Sequence, residues 1–143
     1  MKSRVINNSP KTVMVVFETG DEAAAGLMQA VDDHHLKGAQ ITGLGAFSSA
    51  KLAFYDLQSK VYEPIAVDEQ VEVAALVGNI SLTEDGKPKV HVHAVLSRRD
   101  GSVIAGHLLE GRVRPTLEVT IIESLQSLHR RHDQESGLPL LVP

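Results

Sequence analysis

The chain has 143 residues, 43% of them apolar and 22% charged, with a formal net charge of −4 and no cysteine. That length fits one domain with a core of its own, and the composition is that of a globular protein, so neither disulfides nor thiolate metal sites enter the account. An unaided nucleic-acid module needs clustered Lys and Arg and rings for base stacking, and an acidic chain with no Trp, two Tyr and three Phe offers neither.

The chain starts basic, Met1-Lys2-Ser3-Arg4, but no apolar run or small-residue cleavage site follows, so no signal peptide is read there. No stretch approaches the roughly 20 apolar residues that span a bilayer, and a cytoplasmic protein without membrane contact is the expectation. One domain over residues 1–143 is expected, with a core at about 10–123 and a tail at 124–143.

Thr12–Glu18 is rich in β-formers and reads as a strand. Thr19 with Glu22 three residues on has the form of a capping box, which opens a helix that runs through Leu27 and Val31 to about His35 and stops at Gly38. Successive strands then follow at Ala39–Leu44, Ala50–Asp56, Lys60–Ile65, Gln70–Val77, Lys89–Leu96, Val103–Leu109 and Thr116–Ile122. Gly43-Leu44-Gly45-Ala46 reads as a tight bend, and Gly111-Arg112-Val113-Arg114-Pro115 as a loop. Leu125–His132 reads as a short C-terminal helix. The fold class predicted is α+β: a mainly antiparallel, curled sheet with one N-terminal helix and that short C-terminal one. The second half of Val71–Val77 is apolar on both faces, which suits a strand covered on both sides and leans toward an oligomer.

The most chemical segment is Val90-His91-Val92-His93-Ala94-Val95-Leu96. Residues two apart in a strand share a face, so His91 and His93 point together while Val90, Val92, Ala94 and Leu96 turn to the core. His107 lies on the next strand, and its face depends on the turn. A two-residue Asp100-Gly101 loop pairs Ala94 with His107 and throws its ring to the wrong side. A three-residue Arg99-Asp100-Gly101 loop with a left-handed Gly101, or an equivalent bulge near Gly106, pairs His93 with His107 and puts their Cβ atoms about 4.5–5.5 Å apart. Three neutral imidazoles with an open position suit zinc or another divalent transition metal, and such a centre can activate water near neutral pH.

Around this trio the readings are plainer. Glu110 and Glu118 are candidates for a further ligand or a base, and otherwise a loop residue and a strand-edge charge. His34-His35 caps a helix end, and His129-Arg130-Arg131-His132-Asp133 reads as a solvated tail helix. The chain has no dinucleotide-binding glycine loop, no Gly-x-Ser-x-Gly elbow and no phosphate-binding Walker loop.

Several of these pieces stand in a familiar order. Gly43-Leu44-Gly45-Ala46, Ala50–Asp56, Glu72–Ser81, His91-Val92-His93, Asp100-Gly101, Gly106-His107-Leu108, Pro115–Val119, and the tail Arg131-His132-Asp133 with Gly137-Leu138 together resemble the stand-alone bacterial form of the plant and prokaryote conserved domain family, over roughly residues 10–140. The resemblance implies a compact α+β fold assembled as a homotrimer, with His91, His93 and His107 as the family's proposed metal positions. Similar plant domains follow AT-hooks and mediate self-association and the binding of transcription factors. This chain has no Arg-Gly-Arg-Pro hook, and where plant domains carry Gly-Arg-Phe-Glu-Ile-Leu it has Glu69-Gln70-Val71-Glu72-Val73-Ala74. With its acidic charge, that argues against direct nucleic-acid binding. The implied role is a trimeric metal- or small-ligand-binding module acting in regulation or protein interaction. The alternatives are a zinc-dependent hydrolase or lyase and a DNA-associated protein, and no motif names a reaction.

Overall fold

A computed structural model describes residues 1–142, and in it the protein is mostly antiparallel β-sheet with one helix. The strands are β1 (Lys2–Asn8), β2 (Lys11–Glu18), β3 (Ala39–Asp56), β4 (Val61–Val67), β5 (Val71–Leu82), β6 (Pro88–Ser97), β7 (Val103–Glu123), β8 (His129–His132) and β9 (Pro139–Val142), and the helix is α1 (Ala23–Asp33). Among the described residues no helix is long and apolar enough to cross a membrane.

β2 shows why these residues make strands. Val13, Val15 and Phe17 alternate with polar or half-buried neighbours and are fully buried, as a period of two requires of a sheet with one covered face. β1, short and largely polar, runs beside β2 as an edge, and its alternating residues Ser3 and Val5 are only half-buried. Helix α1 follows β2 and packs on β2, β6 and β7 with Ala23, Leu27, Ala30 and Val31 inward. Together with Phe47, Ile41, Leu52, Leu76, Ile80, Leu96, Leu117 and Ile121 these residues form one continuous core. Each large side chain so buried contributes about 1.5–3 kcal/mol relative to exposure.

The helix cap departs from the capping-box reading. Glu22, not Thr19, is the N-cap, and its carboxylate accepts from the N–H groups of Ala24 (3.1 Å) and Ala25 (2.7 Å). Thr19 belongs to the preceding turn, where Gly20 has φ +94° and the Thr19 hydroxyl donates to the Pro115 carbonyl. The far end closes before Gly38. His35 takes φ +53°, and the Leu36 N–H donates to the Val31 carbonyl, a Schellman closure.

Two readings that split long strands are also corrected. The stretches expected as Ala39–Leu44, a bend and Ala50–Asp56 form one strand, β3, and its register shifts at Gly43/Gly45 and Gly45/Phe47 absorb the bend. Gly45 lies so close to the Thr116 carbonyl that no side chain fits there. The segment from Gly111 to Pro115, expected as a loop, lies inside β7, which runs unbroken from Val103 to Glu123. The predicted helix at Leu125–His132 is absent. Residues 129–132 are strand β8, paired antiparallel with β9 and touching the end of β5 at Leu82. A four-residue extended segment gains its hydrogen bonds from a partner strand, which local sequence does not announce.

The two long strands organise the sheet. β3 pairs with β5 and with β7; β5 pairs with β6; and β6 returns to β7, so the pairings form a closed circuit. Five residues of the front half of β7 (His107, Leu108, Glu110, Gly111 and Arg112) face the back half of β3, while β2 covers the rear of β7.

Candidate metal centre

The hairpin between β6 and β7 decides where His107 falls. The Arg98 N–H donates to the Ser102 carbonyl, the Gly101 N–H to the Arg98 carbonyl, and Gly101 has φ +82°. The loop is therefore the three-residue form Arg99-Asp100-Gly101, and His93 pairs directly with His107. That pair is the last rung of the β6–β7 ladder. Beyond it β7 continues beside β3, with Ala53 opposite His107, so the strands part next to His91 and a cavity of about 440 Å³ opens.

Two close backbone approaches hold the strands in place around this opening. A Cβ on Gly78 would collide with the His91 carbonyl, and one on Gly106 would sit 2.8 Å from the Ala53 carbonyl. The other face of β6 meets the core as its alternation requires, with Val92, Ala94 and Leu96 buried.

The three rings converge. Centroid separations are 5.1 Å for His91–His93, 5.1 Å for His91–His107 and 5.5 Å for His93–His107. One ring nitrogen from each lies within 4.8 Å of the others, and no other such group of His and carboxylates occurs among the described residues. His91 and His107 are half-buried, and His93 is exposed. Burial, with the Arg130 guanidinium and the neighbouring imidazoles, pushes His91 down to about 4. Burial, with His93 and Lys89, also lowers His107. Both rings are thus neutral at pH 7, the form that ligates a metal. His107 Nδ1 is buried with no hydrogen-bond partner. A buried donor or acceptor left alone costs about 1–3 kcal/mol. An ion held by the three nitrogens would be compatible with this donor set, so the residues fit a divalent transition metal.

The cavity wall is aromatic and apolar. Tyr62 packs its ring 5.0 Å from His107, and Tyr55 lies 4.8 Å from Tyr62. The Tyr55 hydroxyl donates to the Ser136 carbonyl at 2.7 Å, which ties the tail to the wall, and Leu138 from that tail closes one side.

The remaining sequence candidates fall elsewhere. Glu110 is exposed and lies 3.8 Å from Lys51 Nζ; Glu118 is exposed opposite Leu44. Neither joins the imidazoles. His34 caps α1, with Nε2 2.9 Å from Ser3 Oγ, and its carbonyl accepts from Lys11. His129 and His132 are exposed on β8.

Sequence reasoning missed Arg130. It was read as part of a solvated helix, yet only 8% of it is exposed. Its Nε donates to Ser81 Oγ (2.8 Å), Nη1 to the Pro139 carbonyl (2.8 Å) and Nη2 to Asn79 Oδ1 (2.8 Å), and Nη2 lies 3.2 Å from His91 Nδ1. The available signal was the pair Asn79 and Ser81, polar at strand spacing within the apolar run of β5. Asn79 stands opposite His91 in the ladder.

A family model, that of the Plants and Prokaryotes Conserved domain, matches residues 5–125. Among solved structures, a candidate DNA-binding protein from Ralstonia eutropha is 31% identical, with 92% of this chain and 90% of that one covered and a TM-score of 0.84. A plant- and prokaryote-conserved protein from Pyrococcus horikoshii is 26% identical over 92% and 91% of the two chains, with a TM-score of 0.83. A protein from Archaeoglobus fulgidus described as metal-containing is 26% identical over 99% and 97%, with a TM-score of 0.84. No curated protein matches the chain.

Proposed function

Given that the chain belongs to the Plants and Prokaryotes Conserved domain family, we propose that it is a metal-binding module. In this reading His91, His93 and His107 hold a divalent transition metal, zinc by preference, at the mouth of a small-ligand cavity. The observation that carries the reading is the convergence of one ring nitrogen from each of three imidazoles within 4.8 Å, beside a His107 Nδ1 that is buried without a partner. The likeness to a metal-containing archaeal protein agrees with it. A metal bound there would supply a Lewis-acid centre with room for an exogenous ligand. Tyr62, Tyr55 and Leu138 shape the space that ligand would occupy.

A regulatory or protein-interaction role in a homotrimer is favoured over a hydrolase or lyase. Among the described residues that line the cavity there is no carboxylate, so neither Glu110 nor Glu118 stands as a base where a bound molecule would sit. Direct DNA binding is the least supported alternative, because the net charge is −4 and no AT-hook is present.

Elemental analysis of the protein purified without added metal tests the proposal, with light scattering for subunit number. Near-stoichiometric metal is expected. Replacing His91, His93 or His107 by Ala should each lower affinity by more than the roughly 10–100-fold that loss of an outer partner costs, with the fold retained by circular dichroism. Full metal content in all three variants would end the reading.

A further inference from the structure

Arg130 is an unusual neighbour for a metal ligand. A metal-bound imidazole ordinarily donates its second N–H to an acceptor: a carboxylate, a carbonyl or a water. Arg130 is the opposite kind of group, since a guanidinium carries five N–H donors and no acceptor. Its Nη2, 3.2 Å from His91 Nδ1, can therefore bond only to a lone pair on that nitrogen. In the neutral ring the proton then resides on Nε2.

Neither way of binding a metal preserves this arrangement. If the ion takes Nδ1, it takes the lone pair that Arg130 uses. If it takes Nε2, the proton moves to Nδ1 and a donor faces a donor. Charge works in the same direction, because a guanidinium within hydrogen-bond reach of a ligand nitrogen repels a divalent cation. Arg130 cannot simply swing away, because Ser81, Pro139 and Asn79 hold the rest of its fork in a site that is only 8% exposed.

We infer that Arg130 and the metal compete for His91, so that the C-terminal hairpin carrying Arg130 sets the metal affinity of the site. The inference rests on the metal reading above and adds a residue that tunes it. Loading the site must break the Arg130–His91 contact, and anything that anchors β8 more firmly weakens metal binding. The tuning residue comes from the C-terminal hairpin of β8 and β9, separate from the strands β6 and β7 that carry the three histidines.

The test is a Zn²⁺ titration of full-length wild type and Arg130→Met against a chromophoric chelator. Met fills similar space without donors, so binding about tenfold tighter or more is expected, the equivalent of relieving one charge-assisted hydrogen bond. Equal or weaker binding by a folded Arg130→Met would overturn the inference and leave the metal reading standing. If neither protein binds Zn²⁺, the metal reading fails and the competition falls with it. Binding by Arg130→Met alone would support the competition in its strongest form. Should Arg130→Met not fold, nitrogen NMR of the wild-type imidazoles decides. His91 Nδ1 should report an accepted hydrogen bond before Zn²⁺ and lose it afterwards, and a contact that survives saturation with Zn²⁺ would refute the proposal.

Discussion

Gly78 shows how closely the site depends on single atoms of backbone. It stands in β5 opposite Val92, and a Cβ there would lie 2.6 Å from Val92 Cγ1 and 2.8 Å from Val92 Cα, besides striking the His91 carbonyl. Backbone is the obstacle, so the strand itself must move. Gly78→Ala should therefore cost about 1–3 kcal/mol, as overpacking does, read as a lower urea midpoint with an unchanged slope. The displaced strand is the one that carries His91 and His93, so metal affinity should fall alongside stability. An unaltered midpoint would mean that β5 and β6 separate freely. At this scale His91 and His93 were legible in the sequence from a period of two, and His107 followed only with the three-residue Arg99-Asp100-Gly101 loop, which the pairing of His93 with His107 bears out. Arg130 was not legible. It lies 39 residues from His91 along the chain, and only the completed fold delivers it.

At the scale of elements, the strands with clean alternation, such as β2 and β6, were readable from their residues, and so was helix α1. The long strands β3 and β7 were read as pairs of shorter ones because glycine and proline punctuate them at Gly43–Gly45 and Gly111–Pro115. In the sheet those residues serve close packing and register shifts instead of ending the strand. β8 was misread as helix because its hydrogen bonds come from β9 and Leu82, partners that local pattern does not reveal. The start of α1 offers a direct discrimination between two caps. Glu22 accepts from Ala24 and Ala25 and also from the Gly111 N–H at 2.9 Å, so one carboxylate serves the helix and joins it to β7. Glu22→Ala should lower stability by about 1–2 kcal/mol, the range of a lost N-cap. Thr19→Ala, which a capping box would make the damaging change, should stay within about 0.5 kcal/mol. Thermal melts of the two variants check this, and a larger loss at Thr19 would restore the capping-box reading.

Across the whole molecule, the outward face of the sheet is where the homotrimer proposal must be judged. The ladder aligns Thr120, Thr42, Val77 and His93 in one row across β7, β3, β5 and β6. Along the same face Leu44 is 61% exposed, Val77 48% and Ile122 40%. The sequence led to an expectation that the apolar second half of Val71–Val77 is covered on both sides, and in a single chain one of those sides is open. A neighbouring copy seated there would remove Val77 from water and approach His93, the exposed member of the trio. Val77→Lys puts a charge into that contact, and an unpaired buried charge is strongly unfavourable. Light scattering should then report a mass that falls from three chains toward one. Leu57→Lys, at a still more exposed leucine in the turn between β3 and β4, should leave the mass unchanged. If Val77→Lys remains as large as wild type, the subunits do not meet on this face and His93 keeps its exposure in the assembly. If the mass falls and metal affinity falls with it, the contact between copies also shapes the site. A mass that falls while affinity holds would mean that one chain's histidines suffice.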